Sequence, residues 1–323
     1  MKKYILYTAA IMAITVSSCR KIETDGEIQV VVVNGGGGGG GSTTGQTITL
    51  QGRINADTVL RKANSYILKG IVYMVGNHTM TIEAGTVIKG SFSCSDVAAL
   101  VITRGSKIIA PGTATDPIIF TSLSPNPQSG DWGGIVLCGK AGYNLSYNGT
   151  AGLYQVEGGI DNANGDGLAG SGDAVAPTPV ANDNSGVLQY VRIEYAGYAF
   201  QPDKEINSLT MAAVGSGTII DHIQVTYAKD DAFEWFGGSV NCSYLIAYKT
   251  QDDDFDTDNG YNGKVQFGLI IRDSVIADIS NSEAFESDNN ATGTTVTPKT
   301  TAIFSNITAI GPRATLTNVG STL

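Results

Sequence analysis

Three segments of the chain set a phenylalanine among carboxylates: residues 230–238 read DDAFEWFGG, 252–260 read DDDFDTDNG and 282–290 read SEAFESDNN. Phe233, Phe255 and Phe285 lie 22 and 30 residues apart, and an apolar strand precedes each copy. If the copies occupy successive coils of a parallel solenoid, equivalent positions stack about 4.8 Å apart. Asp231, Asp253 and Glu283 then form one column, Glu234, Asp256 and Glu286 a second, and the phenylalanines a third that fills the interior. Two unit charges about 5 Å apart repel by about 0.8 kcal/mol in water, and by roughly four times that at an effective dielectric of 20. Such columns call for a counter-charge. Calcium suits them, because its shell is made of 6 to 8 hard oxygens. The candidate metal ligands are Asp231, Asp253, Asp254, Asp256, Asp258, Glu234, Glu283 and Glu286, with Asp230, Asp252 and Asp288 in the same region. The segment Asp252–Asn259 lacks the glycine and terminal glutamate of an EF-hand loop. The rival reading is a solvated acidic edge compensated by Lys229, Lys249 and Lys264.

Other chemistry finds less support. Paired acids such as Asp230 and Asp231 could serve a glycosidase, whose carboxyls stand about 5 to 9 Å apart. A polysaccharide lyase needs a cation and a basic side chain, and Lys229, Lys249, Arg192 and Arg272 lie near the acids in sequence. The only histidines, His78 and His222, have no second histidine or cysteine at ligand spacing, and His222 reads as a packed or surface residue of a strand. No glycine-x-serine-x-glycine elbow occurs, and the polyglycine run opens no phosphate loop. No catalytic residue is assigned. Tyr143, Tyr147, Tyr154, Tyr195, Tyr198, Tyr248, Tyr261 and Trp235 form a pool of aromatics that either stack on sugars or fill strands.

The elements that must position these groups are strands. From Thr47 onward, short β-branched or aromatic runs alternate with Gly, Asn, Asp or Pro, and no amphipathic helix is found. The chain is therefore read as all-β. A recurring step of about 22 residues is what a solenoid coil requires, whereas a β-sandwich gives hairpin turns every 8 to 12 residues. A right-handed parallel β-helix over residues 47–323 is expected, with a β-sandwich as the alternative. A Gly/Asn/Asp-rich insertion near 144–185 reads as a long loop, either binding or merely mobile. With no polar cap ahead of Leu323, the chain reads either as truncated or as covered at that end by something else.

The segments TMTIEAGTVIKG (79–90), ALVITRGSKIIAPGTATDPIIFTS (99–122), GDWGGIVLCGKA (130–141), GVLQYVRIEYAG (186–197) and DDAFEWFGG resemble those of a family of secreted Gram-negative β-helix proteins. Most members are labelled hypothetical proteins or lipoproteins, and some are mislabelled as transporters. The resemblance extends from about residue 50 to 312. It implies the fold and carries no activity.

The N-terminus speaks to location. Lys2 and Lys3, the uncharged apolar stretch 5–16 and the small residues after it read as a secretory signal over 1–18. Val16-Ser17-Ser18-Cys19 resembles the lipobox of bacterial lipoproteins, which implies lipidation of Cys19. Residues 19–46, with Gly35–Gly41, then read as a flexible tether. Loss of Lys2 and Lys3 leaves 18 basic against 30 acidic side chains, a formal charge of −12. Such a surface is repelled by anionic lipid and by nucleic acid, so the lipid does the anchoring and nucleic acid is excluded as a partner. The acids just behind Cys19 resemble a surface-export signal. The resulting expectation is an outer-membrane lipoprotein facing the cell exterior, with an extracellular glycan or a surface protein as its partner. Non-catalytic glycan binding is the leading function. The alternatives are a calcium-assisted polysaccharide lyase or glycoside hydrolase, and a structural or adhesive surface component.

Overall fold

The structure is a computed structural model and describes residues 31–33, 45–93, 96–201, 204–278 and 281–312. The signal, Cys19, the polyglycine run and Cys94 lie outside the described residues, as does the end of the chain from 313 onward. Among the described residues every regular element is a strand. Nineteen strands join one continuous sheet, and every pairing in it is parallel except that of Val31–Val33. Parallel pairing between strands about 22 residues apart excludes the sandwich and establishes a parallel β-helix.

Each coil has three sides. In one full coil, Ile219–Asp221 forms the first side, Ile223–Thr226 the second and Phe233–Phe236 the third. The first two sides belong to one strand bent at His222, which has φ 54°. Neighbouring coils keep strict register: Ile223 pairs with Leu245, Phe233 with Phe255, and Phe255 with Phe285. Alternate residues point inward, and those from all three sides meet in one core containing Leu50, Met80, Leu100, Phe120, Leu188 and Phe233. Each is 1% exposed or less, so each buried aliphatic or aromatic side chain contributes roughly 1.5–3 kcal/mol.

The stretch read as tether is partly strand. Val31–Val33 pairs antiparallel with Thr47–Thr49, as a β-branched run can, and so covers an edge that would otherwise offer unpaired backbone groups.

The insertion is also structured. Two small hairpins, one built on Ser146–Tyr147 and Thr150–Ala151 and the other on Leu153–Gln155 and Leu168–Gly170, fold over the outer surface of the third side. There Tyr143, Val156, Ile160 and Ala169 pack on Tyr73, Val101, Val136 and Phe236 in a second apolar cluster. Bidentate pairs from Arg53 to Asp166 and from Arg104 to Asp173 tie it down, together with Lys140 to Asp183 at 3.2 Å. Gly186 returns the chain to the coil at φ 118°; a Cβ there would sit 1.9 Å from the Ile108 carbonyl oxygen, so only glycine fits.

Candidate binding groove and acidic column

Outward positions of the third side change character along the axis. One column runs Tyr73, Val101, Val136, Thr210, Glu234, Asp256, Glu286 in direct register. The insertion covers its apolar beginning, and the carboxylates follow. Glu234 and Asp256 point away from the core yet are only 5% and 8% exposed.

Asp231 joins this pair. Oxygens of Asp231, Glu234 and Asp256 lie within 4.8 Å of one another, and those of Asp230, Asp231 and Asp252 do the same, so Asp231 belongs to both groups. Burial pushes Asp231 and Glu234 well above the ordinary carboxylate range, with neighbouring carboxylates adding to it. Burial raises Asp256 to about 7, against the hydrogen bond it shares with Glu234. Asn207 Nδ2 donates to Glu234 Oε2. Asp256 Oδ1 is buried without a partner, as is Oγ1 of Thr210, the residue in register with Glu234. An orphaned carboxylate oxygen beside two further carboxylates is a donor set of the kind a hard divalent cation takes, although the Asn207 amide already occupies one Glu234 oxygen.

The other residues of the expected ligand set have different occupations. Asp253 accepts the Glu283 backbone N–H and hydrogen-bonds Glu286, and burial pushes it up to about 10. Asp254 points away from the group, to Arg272 at 2.8 Å. Asp258 accepts from the backbone and side chain of Asn259, while Glu283 contributes its carbonyl oxygen to Arg272 and Glu286 stands exposed at the end of the column. The compensating cation is Arg272 rather than the lysines; Lys249 is drawn to Asp273 at 2.9 Å. Bound to Asp254 and to the Asp252 and Glu283 carbonyls, Arg272 is buried in protein acceptors and cannot reach a polymer as a base.

The aromatic pool divides. Trp235, Tyr261 and Tyr143 are buried, the first two in the core, and the phenylalanine column packs edge to face inside, with Phe285 at its exposed end.

A different set of rings forms an outer column at the corner between the first and second sides. Tyr190, His222, Tyr244 and Phe267 stack at 4.3, 4.3 and 4.7 Å. All four have left-handed backbone, φ 48° to 64°, and Asn306 continues the corner at 55°. A side chain at such a φ carries strain of about 1–2 kcal/mol. The sequence reading missed this column, because its members differ in type. The strands that follow them, Val191, Ile223, Leu245 and Gly268, are in register, and aligning those strands would have revealed the residues just ahead.

Beside the rings runs a groove of about 630 Å³, closed at one end by Thr113, Ala114 and Pro117, with Arg192, Gln224, Ile246 and Leu269 along its second wall. From Tyr190 to Asn306 it crosses four coil steps, about 19 Å at about 4.8 Å each. Arg192 pairs with Glu194, and its Nε is buried without a partner. No carboxylate lines the groove among the described residues.

Among known protein families, the one described as a pectate-lyase-like β-helix domain matches residues 52–323. No curated protein and no solved structure matches the chain.

Proposed function

The chain belongs to the pectate-lyase-like β-helix family, and from that premise we propose that it binds an extended glycan along the corner groove without cleaving it. The observation that carries this reading is the lining: four ring edges in a row with Arg192, Gln224 and Asn306 beside them. The ring faces cover one another, so the Tyr190, Tyr244 and Phe267 edges supply apolar surface for sugar C–H groups, and the His222 edge and the polar side chains supply hydroxyl partners. The groove is long enough for several sugar units in a line. The carboxylates that could act as acid and base lie on another side of the coil, Asp231 buried and Asp230 and Asp252 partly exposed.

Calcium on Asp231, Glu234 and Asp256 is part of the proposal. It would neutralise the column and stiffen the junction between the insertion and the coils; the orphaned Asp256 Oδ1 supports this. The two overlapping carboxylate groups also favour a second reading, a calcium-assisted lyase or glycoside hydrolase acting at that column. For location we propose a lipid on Cys19 and display on the outer face of the outer membrane. The basic start, the short apolar stretch and the Val16–Cys19 motif support it.

Affinity electrophoresis against neutral and acidic polysaccharides, with unsaturated uronates and reducing ends followed in parallel, tests the reading. Retention without product is expected; product formation would replace it with the enzyme reading. Changing Cys19 to Ser should release the protein from membranes, and continued membrane retention would contradict lipidation.

A further inference from the structure

The ring column stops where the corner between the first and second sides changes length. In the coils of Tyr190, His222, Tyr244 and Phe267 a single residue turns this corner. In the three coils before them the turn takes a loop, at 61–64, 83–86 and 112–117. Pro111 is in register with Gln189, and Ile118 with Val191. Gly112 therefore holds the position that Tyr190 holds one coil later, and residues 113–117 are extra chain at the head of the column.

This extra chain is a built stop. Thr113 and Asp116 exchange backbone hydrogen bonds at 3.1 and 3.2 Å, and the Asp116 N–H also donates to Thr113 Oγ1 at 3.0 Å, so the turn is closed on itself. Lys62 pairs with Asp116 across the middle loop, and Arg61 pairs with Glu83 at 3.1 Å, which joins all three loops. The foot of the turn rests on the column. The Gly112 N–H donates to the Gln189 carbonyl at 2.8 Å, and a Cβ on Gly112 would come within 2.5 Å of the Tyr190 carbonyl oxygen. No polymer passes between them, and Thr113, Ala114 and Pro117 line the end of the groove.

We propose that the groove receives the terminus of a glycan chain rather than its interior. The inference rests on the glycan reading of the groove. A chain that follows the ring edges along the axis meets residues 113–117 just beyond Tyr190 and stops there. A terminal sugar ends against Thr113 and Pro117 with the rest of the chain running toward Asn306. An interior segment has sugars on both sides, so it must climb over the loop and give up the contacts at Tyr190 and Arg192. Recognition of an end in a blocked cleft also buries more of the bound sugars than a groove open at both ends.

The test is titration calorimetry on the full-length protein with four linear polysaccharides, polygalacturonate, alginate, hyaluronan and pullulan, each as the intact polymer and as its hexamers. Hydrolysis multiplies chain ends and conserves sugar units. For a glycan that binds, hexamers should half-saturate the protein at a mass concentration at least tenfold below that of the parent polymer. Equal half-saturation by mass, or tighter binding of the polymer, would overturn the inference while leaving the glycan reading in place. Absence of binding by every polymer and hexamer would remove the glycan reading and the inference with it. Deleting residues 113–117 leaves Gly112 as a one-residue corner, which glycine can turn with a left-handed backbone. In that variant polymer and hexamers should bind equally by mass, and a retained preference for hexamers would show that the loop is not the stop. Should the deletion not fold, the comparison on the unaltered protein still decides.

Discussion

Arg272 Nη1 donates to Asp254 Oδ2 at 2.8 Å, and the two side chains are 3% and 0% exposed. The same guanidinium donates to the carbonyls of Asp252 and Glu283 at 2.8 and 2.9 Å, so one residue joins the approaches to two successive coils. Removing the cation leaves Asp254 buried and unpaired. Arg272→Met should therefore cost about 3–5 kcal/mol, and adding Asp254→Asn should restore part of it. Urea unfolding measures both. A loss under about 1 kcal/mol would mean that the pair does not hold the coils together.

The acidic column predicts an unusual pH dependence. Burial holds Asp231 and Glu234 well above their ordinary values, and Asp252 and Asp256 at about 7. The folded chain then binds more protons than the unfolded chain between about pH 4 and 7. Stability is fully present below the unfolded values and is lost as pH rises through the folded ones. In chelator, melting temperature should fall from pH 5 to pH 8. Calcium should reverse the loss at pH 8 and do little at pH 5, because ligands must be deprotonated. A melting temperature that rises with pH in chelator would refute the protonated column. Equal values with and without calcium at pH 8 would remove the metal.

What the sequence revealed followed from identity of residue type at constant spacing. Phe233, Phe255 and Phe285 recur as the same residue, so both their register and that of Glu234, Asp256 and Glu286 could be read before any coordinates. The corner rings could not be read this way, since Tyr190, His222, Tyr244 and Phe267 share only a backbone conformation. Asp254 was grouped with its neighbours because a run of aspartates does not disclose which of them turns inward, and Arg272, which decides it, is 18 residues away. Trp235 and Tyr143 show the same limit from the other side. Trp235 is an inward residue of a strand whose neighbour Glu234 faces out, while Tyr143 is buried by an insertion that composition alone describes as loop.

The two described cysteines should be chemically silent. Burial raises the thiols of Cys138 and Cys242 to about 12, so almost no thiolate exists at pH 8 and no reagent reaches it. With Cys94 changed to Ser, native protein should give no reaction with a disulfide reagent at Cys138 or Cys242, and both should react in denaturant. Reaction in the native state would mean that the coils open around these strands.

The corner column sets strain against stacking, and Tyr244 allows the two to be separated. Its left-handed backbone, φ 56°, costs about 1–2 kcal/mol, which glycine would return. Its ring meets His222 at 4.3 Å and Phe267 at 4.7 Å, two contacts of about 0.5–1.5 kcal/mol each. The terms nearly cancel, so Tyr244→Gly should change stability by less than about 1 kcal/mol. The groove, however, loses the middle of its apolar wall, and polysaccharide retention should fall about tenfold. Paired measurement of urea midpoint and affinity electrophoresis checks both halves. If stability drops by several kcal/mol while binding persists, the rings serve the fold and the glycan lies elsewhere.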